Sequence, residues 1–147
     1  MYLEMDIDKL IKDAILEKNS AKKEAYRAIK AELILIATGK NAPSTIDEAT
    51  EVKVIRKLIS QREESIAMYD ANSRKELADM YREQNKYLKE LLPPEISKQD
   101  IQNSIYGLYP DGFTQKEMGK VIKSVKEIYP TADGKLIAET VKENIHK

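Results

Sequence analysis

Apolar residues recur at three- and four-residue intervals along most of the chain, which is the period of a helix face and not of a strand. Asp6 precedes a first run, Ile7, Leu10, Ile11, Ala14 and Ile15, which predicts a helix ending near Asn19. Ser20 is placed to cap a second helix over 21–38, with Ala25, Ala28, Ile29, Leu33 and Ile36 inward and Gly39 as its stop. After a loop at 41–44, Thr45 and Glu48 have the spacing of a capping box, and Val52, Ile55, Leu58, Ile59, Ile66 and Tyr69 carry a long third helix to about Ala71. Ser73 and Glu76 repeat that spacing ahead of Leu77, Met80, Tyr81, Tyr87, Leu88 and Leu91.

Pro93-Pro94 forbids continuation of this fourth helix, because each ring removes a backbone donor and restricts the residue before it. The domain boundary is placed there, with a helical subdomain over 1–92 and a second over 95–147. Three shorter helices are predicted beyond it, over 97–108, 115–128 and 134–145. Thr114 and Glu117 form a third box, and the Pro-containing stretches 110–112 and 130–133 supply the turns. No repeat of 20 to 50 residues is visible, and no segment alternates at period two over a strand's length. The fold class is all-α.

Composition narrows the function more than the fold. At 147 residues with no Trp and a single Phe, the core must be aliphatic, with help from the apolar bodies of Tyr. Lys plus Arg and Asp plus Glu number 25 each, so the whole-molecule field does not steer toward polyanions, and any nucleic-acid contact must come from a local patch. The absence of Cys removes disulfides, thiolate nucleophiles and thiolate metal sites. Glu4, Asp6 and Asp8 occupy the place where a secretory leader would be basic, and the apolar run 33–37 is too short to span a bilayer, so a cytoplasmic protein without a membrane contact is expected.

Catalysis lacks parts. The single histidine, His146, is the penultimate residue, a poor foundation for a triad or a metal site. Five scattered glycines make no phosphate-binding loop. Glu63, Glu64, Asp47, Glu48 and Glu51 are read as surface charge and caps, since adjacent acids on a helix point to different faces. Met5, Met68, Met80 and Met118 are read as core filler, and Tyr69, Tyr87 and Tyr129 as packing residues in place of a base-stacking platform. No catalytic residue, metal site or cofactor is assigned. The suggestive surface is a lysine ridge, Lys116, Lys120, Lys123 and Lys126, around Gly119 and opposite Met118, Val121, Ile122, Val125 and Ile128. Lys135 joins it from the start of the last helix, while Glu117 and Glu127 dilute it.

Several ordered segments resemble the GatB/YqeY family: Ala25-Tyr-Arg-Ala-Ile-Lys-Ala-Glu-Leu33, Val54-Ile-Arg-Lys-Leu-Ile-Ser-Gln-Arg-Glu-Glu-Ser65, Arg74-Lys-Glu-Leu-Ala78 and Tyr87-Leu-Lys-Glu-Leu-Leu-Pro93. Met118-Gly-Lys-Val121 and Ala132-Asp-Gly-Lys-Leu136 are similar to that family's closing motif. The resemblance implies an N-terminal helical bundle and a small C-terminal three-helix unit. It also implies kinship with the tail of the amidotransferase B subunit, which helps to hold misacylated Glu-tRNA or Asp-tRNA. tRNA, or an aminoacyl-tRNA-handling enzyme, is the partner it points to, and a helical protein scaffold without RNA is the alternative. Carbon–nitrogen ligase activity with glutamine as donor, the literal family label, is rejected for the isolated chain, which has no nucleotide site and no ammonia-releasing nucleophile. Gly119 is expected to let a neighbouring helix approach, and Asp133 to cap the last helix ahead of Gly134 and Lys135. Ser60 and Thr131 depart from the family pattern, each where relatives carry a basic residue or, at the second, glycine.

Overall fold

The computed structural model describes residues 6–145, so Met5 and His146 lie outside the described residues. Within them the chain is all-helical, α1 (Ile7–Leu16), α2 (Ser20–Thr38), α3 (Glu48–Ala71), α4 (Lys75–Glu90), α5 (Lys98–Leu108), α6 (Met118–Ile128) and α7 (Gly134–Glu143), with a 3-10 turn over Gln115–Glu117 leading into α6. It divides into two compact units, Met1–Leu92 and Pro93–Lys147.

In the first unit α3 packs along α4, α2 lies against both, and α1 folds back on α2. Ile29, Leu33, Ile46, Ile55, Leu58 and Leu88 are buried at their common centre. Burying an aliphatic side chain of this size contributes about 1.5–3 kcal/mol, so a core without Phe or Trp is sufficient. The inward faces follow the apolar spacing with instructive exceptions. Ile15, expected inside, is 49% exposed, and Met80 and Ile128 are also exposed. Conversely Glu51, read as surface charge, is fully buried. It stands four and seven residues before Ile55 and Leu58, so helix geometry carries it inward with them.

Helix starts were harder to read than faces. Asn19, not Ser20, caps α2, its Oδ1 accepting from Lys22 N–H at 3.0 Å. Thr45 does not cap α3; Asp47 does, accepting from Thr50 N–H at 2.8 Å. Hydrogen bonds from Thr50 also hold the Asp47 carboxyl below the usual aspartate range. Ile46, buried in the core, anchors the chain one residue before that cap. Ser73 is no cap either: α4 follows Arg74, which makes no side-chain capping bond.

Lys18 and Ser73 instead end α1 and α3 in the left-handed conformation, at φ 58° and 59°. Behind Lys18, Asn19 N–H bonds Ala14 O and Lys18 N–H bonds Ile15 O; behind Ser73, Arg74 N–H bonds Tyr69 O and Ser73 N–H bonds Asp70 O. Both are Schellman motifs built without glycine, so each helix reverses into the next within a few residues. Asn19 links the two tasks, closing α1 through its backbone, capping α2, and donating from Nδ2 to Tyr87 Oη of α4 at 2.8 Å.

The second unit has a regularity the sequence scan missed. α5 and α6 are two copies of one helix–turn unit offset by twenty residues: the pattern of buried and exposed positions over 101–110 recurs unchanged over 121–130. Ile101 and Ile105 answer to Val121 and Val125, all buried. Each copy ends on Tyr-Pro, with Tyr109 N–H on Ile105 O and Tyr129 N–H on Val125 O, then closes a turn by Gly112 N–H on Tyr109 O or Ala132 N–H on Tyr129 O. Only Ser, Tyr and Pro are identical between the copies, at 104/124, 109/129 and 110/130, which hides the repeat from comparison by identity.

Each helical segment of this unit also starts alike. Ile96, Phe113 and Ala132 enter the core just before the residues that open the segments, Ser97, Thr114 and Asp133. Ser97 forms a capping box with Asp100, and Glu117 accepts from Thr114 N–H at 3.2 Å. α7 then closes the core with Ile137 and Val141.

Two substitutions test the turns of the first unit. Ser73→Gly removes the Cβ penalty of the left-handed residue and is expected to stabilise the protein by about 1 kcal/mol. Asn19→Ala, which removes both the cap and the bond to Tyr87, is expected to destabilise it by about 1–2 kcal/mol. Urea unfolding followed by far-UV circular dichroism reads both, and unchanged midpoints would contradict this account of the turns.

Candidate nucleic-acid interface

Burial of Val121 and Val125, with Met118 and Ile122 beside them, fixes how α6 is rotated on the core of the second unit. Lys120, Lys123 and Lys126 are thereby turned outward and exposed, and Lys116 is exposed on the preceding 3-10 turn. Lys135 is exposed in the first turn of α7, its backbone N–H donating to Asp133 Oδ1 at 3.0 Å. α6 and α7 pack against each other, so four of the lysines belong to one helix pair, with Lys116 on the 3-10 turn that packs on α6.

None of these five ammonium groups lies within 4.0 Å of a carboxylate among the described residues. The nearest acids in sequence are otherwise placed: the Glu117 carboxylate turns back to Thr114, and Asp133 is the α7 cap. Glu127 is exposed on the same side of α6. Among the described residues of this unit Lys98 is the paired lysine, bonded to Glu143 at 2.5 Å, which ties α5 to α7. The unit as a whole contains eight lysines and eight carboxylates, so the ridge is a local field on a neutral body.

The two motif glycines do not serve helix packing. A Cβ added at Gly119 or Gly134 would meet nothing within 4 Å. The expectation that Gly119 admits a neighbouring helix is therefore incorrect: α6 turns that position to solvent beside Lys120, while Val121 faces the core. Asp133 does cap α7. Among the described residues there is no group of three or more His, Cys, Asp or Glu able to hold a metal ion, and no helix long and apolar enough to cross a membrane.

One concave feature escaped the sequence reading. It runs between α3 and α4 in the first unit, lined by Glu63, Ile66, Asp70 and Arg82 among others, and includes the buried Asn85. Periodicity identifies the inward face of a helix but not the helix it will pair with, so nothing in the pattern announced this groove.

An all-helical pair of capped, aliphatic-cored units with a free basic ridge is the class this structure defines. Residues 4–145 match the family model described as Yqey-like protein, nearly the full chain, and the protein belongs to the YqeY family. A comparison with curated proteins finds no match.

The open space at Gly119 makes a stability test possible. Gly119→Ala removes backbone freedom from the unfolded chain without a clash in the folded one, and is expected to raise stability by about 0.5–1 kcal/mol. A lowered thermal midpoint would reinstate a packing role for this glycine.

Proposed function

We propose that this protein is a non-catalytic accessory module that binds tRNA through the outer face of α6 and the start of α7. One observation carries the reading: Lys116, Lys120, Lys123, Lys126 and Lys135 are exposed and free of carboxylate partners among the described residues, on helical segments that pack together. Lysines already paired with acids would have to exchange one anion for another; these five are available to phosphate directly. Membership of the YqeY family and the resemblance to a tRNA-holding tail domain favour tRNA over other polyanions. Thr131, half-buried, subtracts a positive charge the family often has near this surface, and the exposed Ser60 subtracts another from α3. Both substitutions limit the affinity expected.

The ridge also suits an acidic patch on an aminoacyl-tRNA-handling enzyme, in which case the contact is with the enzyme and tRNA is held by it. The two versions differ in what survives nuclease treatment.

Binding of the purified protein to total tRNA, followed by fluorescence anisotropy, tests the proposal. Four to five phosphate contacts predict that affinity falls by roughly two to three orders of magnitude for a fourfold rise in salt. The triple substitution Lys120→Glu, Lys123→Glu and Lys135→Glu is expected to abolish binding while leaving helicity intact, because all three side chains are exposed. Absence of binding by the unaltered protein at low salt would exclude tRNA as the direct ligand.

A further inference from the structure

The groove between α3 and α4 has an ordered distribution of charge. Asp70 pairs with Arg82 across it, and seven residues along each antiparallel helix Glu63 faces Lys89 at 4.0 Å. The α3 side of the lining is thus acidic and the α4 side basic, Lys86 included, although Arg82 also bonds Asp79 at 2.7 Å and Lys86 lies 3.9 Å from Glu83, both on α4 itself. Between the two pairs lie Ile66, Ala67 and Asn85. Leu58 and Leu88, which share a core with Ile29 of α2, are turned roughly 100° or more from these rim residues around their helix axes. Within this unit the groove therefore opens on a side of the α3–α4 pair that α2 does not cover.

Its floor contains an unmet hydrogen-bonding group. Asn85 is 4% exposed; its Nδ2 donates to Ile59 O at 3.3 Å, but its Oδ1 accepts no hydrogen bond from the described residues. An acceptor withdrawn from water without a donor is unfavourable by about 1–3 kcal/mol, and this one lies beneath the groove surface, closed to solvent.

We infer that this groove is a self-association surface, and that its occupant is a second copy of the same α3–α4 pair. The charges select this occupant and its orientation. A two-fold axis parallel to the helices lays α3 of one copy over α4 of the other, so that acidic rim meets basic rim twice. Glu63 and Lys89 then form a ring of four alternating charges with their symmetry mates, and Asp70 and Arg82 form a second ring one heptad away. A two-fold axis across the helices would instead set acid on acid and base on base, which is repulsive. Ala67 and Ile66 leave the seam between the rings small and apolar enough for close helix approach, as in a four-helix bundle with all neighbours antiparallel.

Sedimentation equilibrium on the intact protein decides the matter. A dimer is expected that weakens with added salt. Glu63→Lys with Asp70→Lys makes both rims basic, and Arg82→Glu with Lys89→Glu makes both acidic; each variant alone is expected to dissociate at least roughly tenfold more readily. Their equimolar mixture is expected to recover the dimer, an outcome that a nonspecific loss of structure would not produce. Ala67→Glu, at an exposed position in the seam, provides a second disruption that does not alter either ring. A wild-type protein that stays monomeric at the highest attainable concentration overturns the inference, as does failure of the two folded charge variants to associate when mixed.

Discussion

Every helix in this protein depends on an aliphatic seam, because nothing stronger is present. A third of the residues are charged, there is no cysteine or tryptophan, and the helices are ten to twenty-four residues long, lengths at which most helical stability comes from packing an apolar face and not from propensity. Ile29, Ile55 and Leu88 in the first unit, and Ile101, Val121, Val125 and Ile137 in the second, are fully withdrawn from water. Their positions set the rotation of each helix about its own axis. Once Val121 and Val125 are inside, Lys120, Lys123 and Lys126 have to be outside, so the basic ridge is a geometric consequence of the core as much as an independent feature.

The two units solve the problem of chain reversal differently. In the first, successive helices are joined by Schellman motifs in which Lys18 and Ser73 accept a left-handed conformation normally given to glycine. That strain is tolerated where a helix such as α3, with its many seam contacts, follows or precedes the turn. The second unit has no helix longer than eleven residues and a smaller core to offset strain. There the left-handed residue is Gly112, and the turns are set by prolines after Tyr109 and Tyr129, with an apolar residue entering the core just before each N-terminal opening. Repetition of one helix–turn device in α5 and α6 is economical for a unit of this size, since the same spacing of two β-branched residues satisfies both copies.

The inward faces of α2, α3 and α6 were legible in the sequence because they follow from spacing alone, and the match to family segments extended that reading across the chain. Helix starts were less legible, since Asn19, Ser20, Asp47 and Thr45 are all competent caps and tertiary anchoring chooses among them; Ile46 in the core makes Asp47 the cap. Glu51 was misplaced by its chemistry, although its spacing from Ile55 and Leu58 already marked it as inward. Gly119 was misjudged for the opposite reason: a glycine suggests close approach, yet its place on the wheel beside Lys120 put it on the solvent side. The ridge lysines were readable as a pattern, but whether they were paired was not, because ion pairs between helices depend on tertiary geometry.

That last distinction separates the two units. Both are formally neutral by sequence, but neutrality is achieved at different ranges. In the first unit many cations sit beside an acid, including Lys22 with Glu17 at 3.1 Å, Lys30 with Asp8 at 2.6 Å and Lys57 with Glu32 at 3.2 Å. Such exposed pairs add little to stability, yet they cancel the field a few ångströms from the surface. In the second unit Asp100, Glu117 and Asp133 serve helix starts and Glu143 pairs with Lys98, and the α6 lysines have no carboxylate within 4.0 Å among the described residues, although Glu127 shares their side of the helix. At a Debye length of about 8 Å in physiological salt, a ligand meeting that face senses the lysines before it senses the balancing acids elsewhere. Capping the short helices with carboxylates therefore has a second effect beyond holding them: it engages Glu117 and Asp133 with backbone N–H groups in place of the neighbouring lysines, and leaves Glu127 as the acid exposed on the lysine side of α6.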